Sequence, residues 1–202
     1  MKEQHIYEQT YQDYLSRIAD LDLKFTADKL DLPISGSEVS IPFFGKTYKV
    51  STKGIKDPAG KPPHLSISVI LCKHLLMCPM IEPLGGRWMS FKDFKDAAPL
   101  VQAFFNSVTL PIAESFSQRL ADLENSTKKI GGYPPAEDFP YDLSMQVDAL
   151  PKVPLLMLFN DKDEEFPAQC SLLFEKRVEK FLDMECLAMV GMLFSDYLRR
   201  DL

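Results

Sequence analysis

Seven apolar residues, Ile67, Val69, Ile70, Leu71, Leu75, Leu76 and Met77, crowd into one stretch of the chain. At 100° per residue they leave a helix with no broad polar face. Such a helix cannot lie on a surface, so other elements must enclose it, and it is the expected central core helix. Lys73 and His74 interrupt the run from Ile67 to Cys78, which is also too short to cross a bilayer. Pro79 and Pro83 prevent its continuation. A chain of 202 residues, 46% of them apolar, supplies enough partners to bury it within one domain over 1–202.

The flanking patterns set the fold class. Tyr7, Tyr11, Tyr14, Leu15 and Ile18 share one helix face and predict an amphipathic helix over about residues 3–20. After Pro33 and Gly36, Val39, Ile41 and Phe43 alternate, and Phe44-Gly45-Lys46-Thr47 turns the chain into a hairpin with Tyr48-Lys49-Val50-Ser51. The breakers in Asp57 to Pro63 predict a surface connection, and Gly85-Gly86 leads into a short strand at Arg87 to Phe91. Leu100, Val101, Phe104, Phe105 and Val108 mark one helix. Thr109 as N-cap, Pro111, Ile112, Phe116, Leu120 and Leu123 mark a second, which Gly131-Gly132 ends.

Leu143, Met145 and Val147 alternate, and Val153 to Phe159 is an apolar run, so two strands are expected, the second more buried. Leu173, Phe174, Val178, Phe181 and Leu182 predict one helix face. Leu187, Val190, Gly191, Phe194, Tyr197 and Leu198 predict another, capped by Asp183. Helices and strands come in mixed runs without regular βαβ alternation or an internal repeat. The expected architecture is α+β, with helices packed on short, mainly antiparallel strands.

The order of these features resembles a prokaryotic family, domain of unknown function 3786, found largely in anaerobes. The resemblance covers nearly the whole chain. It rests on Phe43-Phe44-Gly45-Lys46-Thr47-Tyr48, Gly86-Arg87-Trp88-Met89-Ser90-Phe91, the Gly131-Gly132 doublet, Leu150-Pro151-Lys152-Val153-Pro154-Leu155, Asp163-Glu164-Glu165-Phe166-Pro167 and Leu172-Leu173-Phe174. The resemblance implies an aromatic residue near Asn160 and an aspartate at Glu175, and this chain departs from both. Some relatives look fused to a cysteine-rich domain of the kind that carries an iron–sulfur cluster in corrinoid or one-carbon metabolism. That implies an accessory role near anaerobic redox metabolism, although this chain contains no such segment.

The composition narrows the partners. Lys and Arg number 23 against 29 Asp and Glu, a net charge of −6, which disfavours nucleic-acid phosphates and anionic membranes as partners. Four cysteines without a Cys-x-x-Cys pair are too few for a disulfide scaffold and suit a reducing cytoplasm. The amino terminus has no secretion-signal pattern. A homo-oligomer remains open, and the sequence names no cofactor.

Several groups admit both a working and a packing interpretation. His74 and Cys78, four apart, share a helix face and could hold a metal with Cys170 or Cys186, or fill the core with Cys72. Asp161, Asp163 and Glu165 alternate like the start of a calcium loop. Phe166 and Leu172 stand where that loop needs glycine and glutamate, so this is no EF-hand. These acids could hold a cation or a basic partner, or form a solvated turn ahead of the next helix, anchored by Phe166-Pro167. Arg87 and Trp88 offer a cation and a flat ring to a ligand, or an ion pair and core area. Lys46, Lys49, Lys53, Lys56 and Lys61 form a basic stretch, and Glu137 to Glu165 an acidic one.

No nucleophile elbow, phosphate-binding loop, dinucleotide fingerprint or His-Glu-x-x-His helix is present. The expectation is therefore an accessory protein that binds a partner or small ligand. Its site has Arg87 and Trp88 on one side of a cleft and Asp163, Glu164 and Glu165 at the rim. The alternatives are a metal-assisted enzyme using Asp161, Asp163 and Glu165 with His64 or His74, and a structural subunit of a redox complex.

Overall fold

The computed structural model describes residues 2–200, with side chains from Gln9 onward, so the predicted contribution of Tyr7 lies outside the described side chains. The first helix, α1, spans Lys2–Ala19, and Tyr11, Tyr14, Leu15 and Ile18 turn to the core as their spacing predicts. A short helix that no strong apolar period announces follows at α2, Leu23–Lys29. Asp22 caps it by accepting from the Phe25 N–H at 3.0 Å.

The first sheet is an antiparallel meander of β1 (Ile34–Ser35), β2 (Glu38–Phe43), β3 (Lys46–Ser51) and β4 (Gly54–Lys56). Its central hairpin is the predicted one. Phe43 pairs with Lys46, leaving Phe44 and Gly45 as a two-residue turn with φ of +46° and +72°. Two positive φ values twist the turn to match the strands. Glycine adopts this freely. Phe44 is held there because its ring is buried, stacked on Phe194 at 6.1 Å and edge-on to Tyr197 at 5.5 Å.

The all-apolar helix is α3, Leu65–Leu76, enclosed as expected between α1 and α7 (Met184–Arg199). It ends before Cys78, so Cys78 does not share a helix face with His74.

The second sheet runs in the order β5 (Trp88–Ser90), β8 (Gln169–Glu175), β7 (Val153–Asn160), β6 (Leu143–Leu150), all antiparallel. Two expectations fail here. The predicted helix face at Leu173 to Leu182 is instead strand β8 followed by a 3₁₀ turn at Lys176–Lys180. Leu172 and Phe174 point inward with Ser171 and Leu173 opposite, because β7 offers an open edge that local periodicity cannot reveal.

The predicted pair of helices around Thr109 is instead one helical stretch. It comprises α4 (Val101–Phe104), a π-helical turn (Phe105–Thr109) and α5 (Leu110–Phe116), and the break falls at Ser117–Arg119 before α6 (Leu120–Lys129). Thr109 has helical dihedrals, and its hydroxyl donates to the Phe105 carbonyl at 3.4 Å, so it is no N-cap. Pro111 cannot donate an α-helical bond, and the wide turn before it makes room for its ring inside a continuing helix.

Leu155, Met157, Phe159, Leu172 and Phe174 on the sheet's inner face join one core with the helices. The α5 and π-turn segment covers β8, and α7 packs behind it. The two sheets meet where the Phe44 N–H donates to the Ala149 carbonyl at 3.0 Å.

Candidate binding site

On the opposite face of the second sheet, polar side chains gather where apolar packing stops. Glu175 ends β8 opposite Trp88 of β5 and is 9% exposed. Its Oε2 lies 2.5 Å from Nε of Arg177, whose side chain is itself only 19% exposed. Gly85 lies over this pair. A Cβ built on it would stand 2.7 Å from the Glu175 carboxylate and 2.9 Å from the Arg177 guanidinium carbon, so a side chain here would make the ends of these two side chains shift.

Glu82 extends the network, 3.7 Å from Arg177 and 3.1 Å from Lys152, and Lys152 also pairs with Asp31 at 2.7 Å. These bonds to Asp31 and Glu82 hold the Lys152 ammonium above the usual lysine range. Alongside, the Tyr133 hydroxyl donates to Asp148 at 3.0 Å and accepts from the Gln146 amide at 2.8 Å. Burial first, and then the Asp148 carboxylate, push that phenol up to about 12. A cleft of about 480 Å³ opens next to Asp148 and Lys152, walled by Leu32, Pro42, Gly45 and Leu150.

Above the network, the segment from Met80 to Leu84 points away from the core. Met80 is 70% exposed, Ile81 85% and Leu84 96%. Between them Glu82 is tied to two cations, so the segment presents its apolar side chains from a fixed base.

The predicted site residues divide between two places. Trp88 is half-buried beside Glu175, and Arg87 is exposed, its carbonyl accepting from the Lys176 N–H at 2.7 Å. Asp163, Glu164 and Glu165 are exposed in the connection from β7 to β8, at the Gln169 end. Trp88 faces the Glu175 end, and a seven-residue strand puts these ends roughly 20 Å apart. The structure does not bring the two segments to one cleft.

The acidic connection leads to a strand, not to the expected helix, and Phe166, 59% exposed, does not anchor it. The Asp163 carboxylate does, by accepting from the N–H groups of Glu165 at 2.8 Å and Phe166 at 2.7 Å. These bonds hold Asp163 below the usual carboxylate range. Asp161 is similarly occupied, accepting from the Gln118 and Lys162 N–H groups.

The thiols and imidazoles lie apart. His64 is at the N-terminus of α3, its ring within 2.9 Å of the Ser66 hydroxyl. His74 is fully buried against Phe181, and neither ring nitrogen has a hydrogen-bond partner. Burial pushes the thiols of Cys72 and Cys170 up to about 12 and raises Cys78 and Cys186 as well. Among the described residues no three His, Cys, Asp or Glu side chains converge as a metal site. No described helix is long and apolar enough to cross a membrane.

Sequence reasoning missed Arg177, Lys152 and Glu82 as a group. A two-residue Glu-x-Arg spacing after an apolar strand was visible, but their convergence was not.

A search of curated proteins and one of solved structures return no match. The family model described as "Domain of unknown function (DUF3786)" matches residues 22–197, a span that includes β5, the acidic connection and the whole polar network. The chain belongs to the domain of unknown function 3786 family.

Proposed function

We propose that this protein is an accessory factor that docks a protein partner through the Met80–Leu84 loop, with Arg87 and Trp88 at its side. The observation that carries this reading is the exposure of three large apolar side chains within five residues, on a loop pinned by the ion pairs of Glu82. Exposed apolar clusters of this kind mark interaction surfaces, and a loop already fixed in place loses less entropy on binding.

Burying the Met80, Ile81 and Leu84 side chains is worth roughly 5–9 kcal/mol gross. Association costs about 4–15 kcal/mol. The loop alone therefore gives weak binding at best, and a stable complex needs adjoining surface such as the half-buried Trp88 ring. The fitting partner presents an apolar groove whose rim is acidic toward Arg87. The setting near anaerobic redox or corrinoid metabolism rests on the family resemblance alone.

Quantitative co-purification from the native source tests the reading, comparing the wild type with Ile81→Asp/Leu84→Asp and with Phe166→Asp as a control at an exposed aromatic beyond the Gln169 end of β8. A partner retained by the wild type and the control, and depleted at least tenfold by the double variant, is the expected result. Equal recovery by all three overturns it.

A further inference from the structure

The outer face of the first sheet carries charge that the fold does not balance. Val39, Ile41, Tyr48, Val50 and Ile55 are buried on its inner face, so the alternating residues Thr47, Lys49 and Lys56 stand toward solvent. Register sets Ser40, Lys49 and Lys56 in one row across β2, β3 and β4, with Lys49 directly opposite Lys56. Like charges so placed destabilise a sheet. Glu38 offsets one of them, 3.1 Å from the Lys49 ammonium. Among the described residues, Lys56 has no ion-pair partner.

The chain after β4 folds back on itself beside this row. The Asp57 N–H donates to the Lys61 carbonyl at 2.7 Å, and the Gly60 N–H to the Asp57 carbonyl at 2.9 Å. The Asp57 carboxylate, next in sequence to Lys56, accepts from the N–H groups of Ala59 at 2.9 Å and Lys61 at 2.8 Å. Its hydrogen bonds therefore shape the loop. Loop and sheet bound a cleft of about 510 Å³, with Thr47, Lys49 and Lys56 on the sheet side and Pro58 and Gly60 on the loop side; Glu38 and Asp57 complete the wall. That volume suits a small molecule. Residues 42–62 hold five lysines against one acid, a local excess of positive charge in a chain of net charge −6. A concave surface concentrates such a field on an anion.

We propose that this cleft binds a small phosphomonoester. Its phosphate dianion sits between the Lys49 and Lys56 ammonium groups, the Thr47 hydroxyl donates to a phosphate oxygen, and the organic body of the ester lies against Pro58. The dianion replaces repulsion between two lysines with attraction to both, and its several acceptor oxygens can serve all three donors at once. A carboxylate brings half the charge and is held less tightly.

Calorimetric titration of the full chain with phenyl phosphate tests this, near pH 7.5, where a phosphomonoester is doubly charged. Benzoate is the singly charged comparison. Physiological ionic strength screens charges beyond about 8 Å. Saturable one-to-one binding is expected, at least tenfold tighter for phenyl phosphate than for benzoate, with amide shifts at Thr47, Lys49 and Gly60. Lys56→Gln should weaken binding about tenfold. Lys53→Gln removes the same charge from the turn between β3 and β4, which does not line the cleft, and should change binding less than about twofold. Lys56→Gln also relieves the like-charge pair, so the free variant should melt no lower than the wild type, which separates lost binding from lost fold. Absence of saturable binding, equal affinity for benzoate, or equal losses in the Lys53 and Lys56 variants each overturns the proposal. Tighter binding of a short oligothymidylate than of phenyl phosphate also overturns it, marking the face as a surface for polyanions.

Discussion

Asp31 and Lys152 both hold left-handed backbone, at φ +55° and +64°, and they meet in an ion pair of 2.7 Å. Lys152 follows Pro151 in the two-residue turn between β6 and β7. Proline at the second position and positive φ at the third mark a type II turn, where glycine is favoured. A lysine there costs about 1 kcal/mol of backbone strain. Its ammonium, shared between Asp31 and Glu82, is the compensating contact. Asp31 is 76% exposed at the side chain, so that pair is worth less than about 1 kcal/mol. Lys152→Gly should therefore match or slightly exceed wild-type stability in urea, while amide exchange in the Met80–Leu84 loop accelerates. Lys152→Val, β-branched at positive φ, should lose about 2 kcal/mol. Equal stability of the two variants would show that the backbone is not strained.

The Glu175–Arg177 pair behaves differently because both side chains are largely shielded. Removing one partner strands a charge, and Arg177→Met should cost about 3 kcal/mol. The double change Glu175→Leu/Arg177→Met should recover most of that loss. Gly85→Ala should also destabilise, since its methyl would enter the space of both groups. Chemical denaturation of Arg177→Met, Glu175→Leu and the double variant measures the coupling, and additive losses in the double variant would contradict it.

His74 carries a pH signature. Burial without a hydrogen-bond partner pulls its imidazole down to about 3. The unfolded chain takes up a proton near pH 6.5 that the folded chain refuses, so stability falls as pH drops below 6.5. The slope is about 1.4 kcal/mol per pH unit from this group. His74→Leu should abolish that component between pH 6.5 and 4.5. At pH 7.5 it should be neutral or stabilising, because it removes an unsatisfied polar ring. Parallel urea titrations at the three pH values decide it.

Gly191 sits in α7 where it meets the aromatic core. An added methyl would stand 2.5 Å from the Phe104 ring, and Phe104 is itself stacked on Phe91 at 4.2 Å with 7° between planes. Alanine should gain about 1 kcal/mol in helix propensity but lose about 1–3 kcal/mol to overpacking. The expected outcome for Gly191→Ala is a lower melting temperature despite the better helix former. A higher one would mean that Phe104 moves aside freely.

The legible elements share a property: their signal is complete within a few residues. The enclosure of α3, the Phe44-Gly45 hairpin, the alternation of β6 and the Asp183 cap, which accepts from the Cys186 N–H at 2.9 Å, all follow from spacing and turn chemistry. The misread elements needed a neighbour. Leu173 and Phe174 fit a helix face until β7 supplies an edge, and Thr109 resembles a cap until the π-helical turn carries the chain past Pro111. Trp88 stands out in the sequence as a lone tryptophan beside a diglycine. Its partners, Glu175 beside it in register and Arg177 beyond, do not.

The chain by itself determined an α+β domain around one apolar helix, because side-chain periodicity is a local property that each segment carries alone. Tertiary structure decided which charges meet. Asp31, Glu82, Lys152, Glu175 and Arg177 lie in four separate segments, and the pairing of β5, β8, β7 and β6, with the α2–β1 connection packed alongside, brings them within ion-pair distance. Coulomb attraction between such groups depends on separation in space, which a linear sequence does not contain.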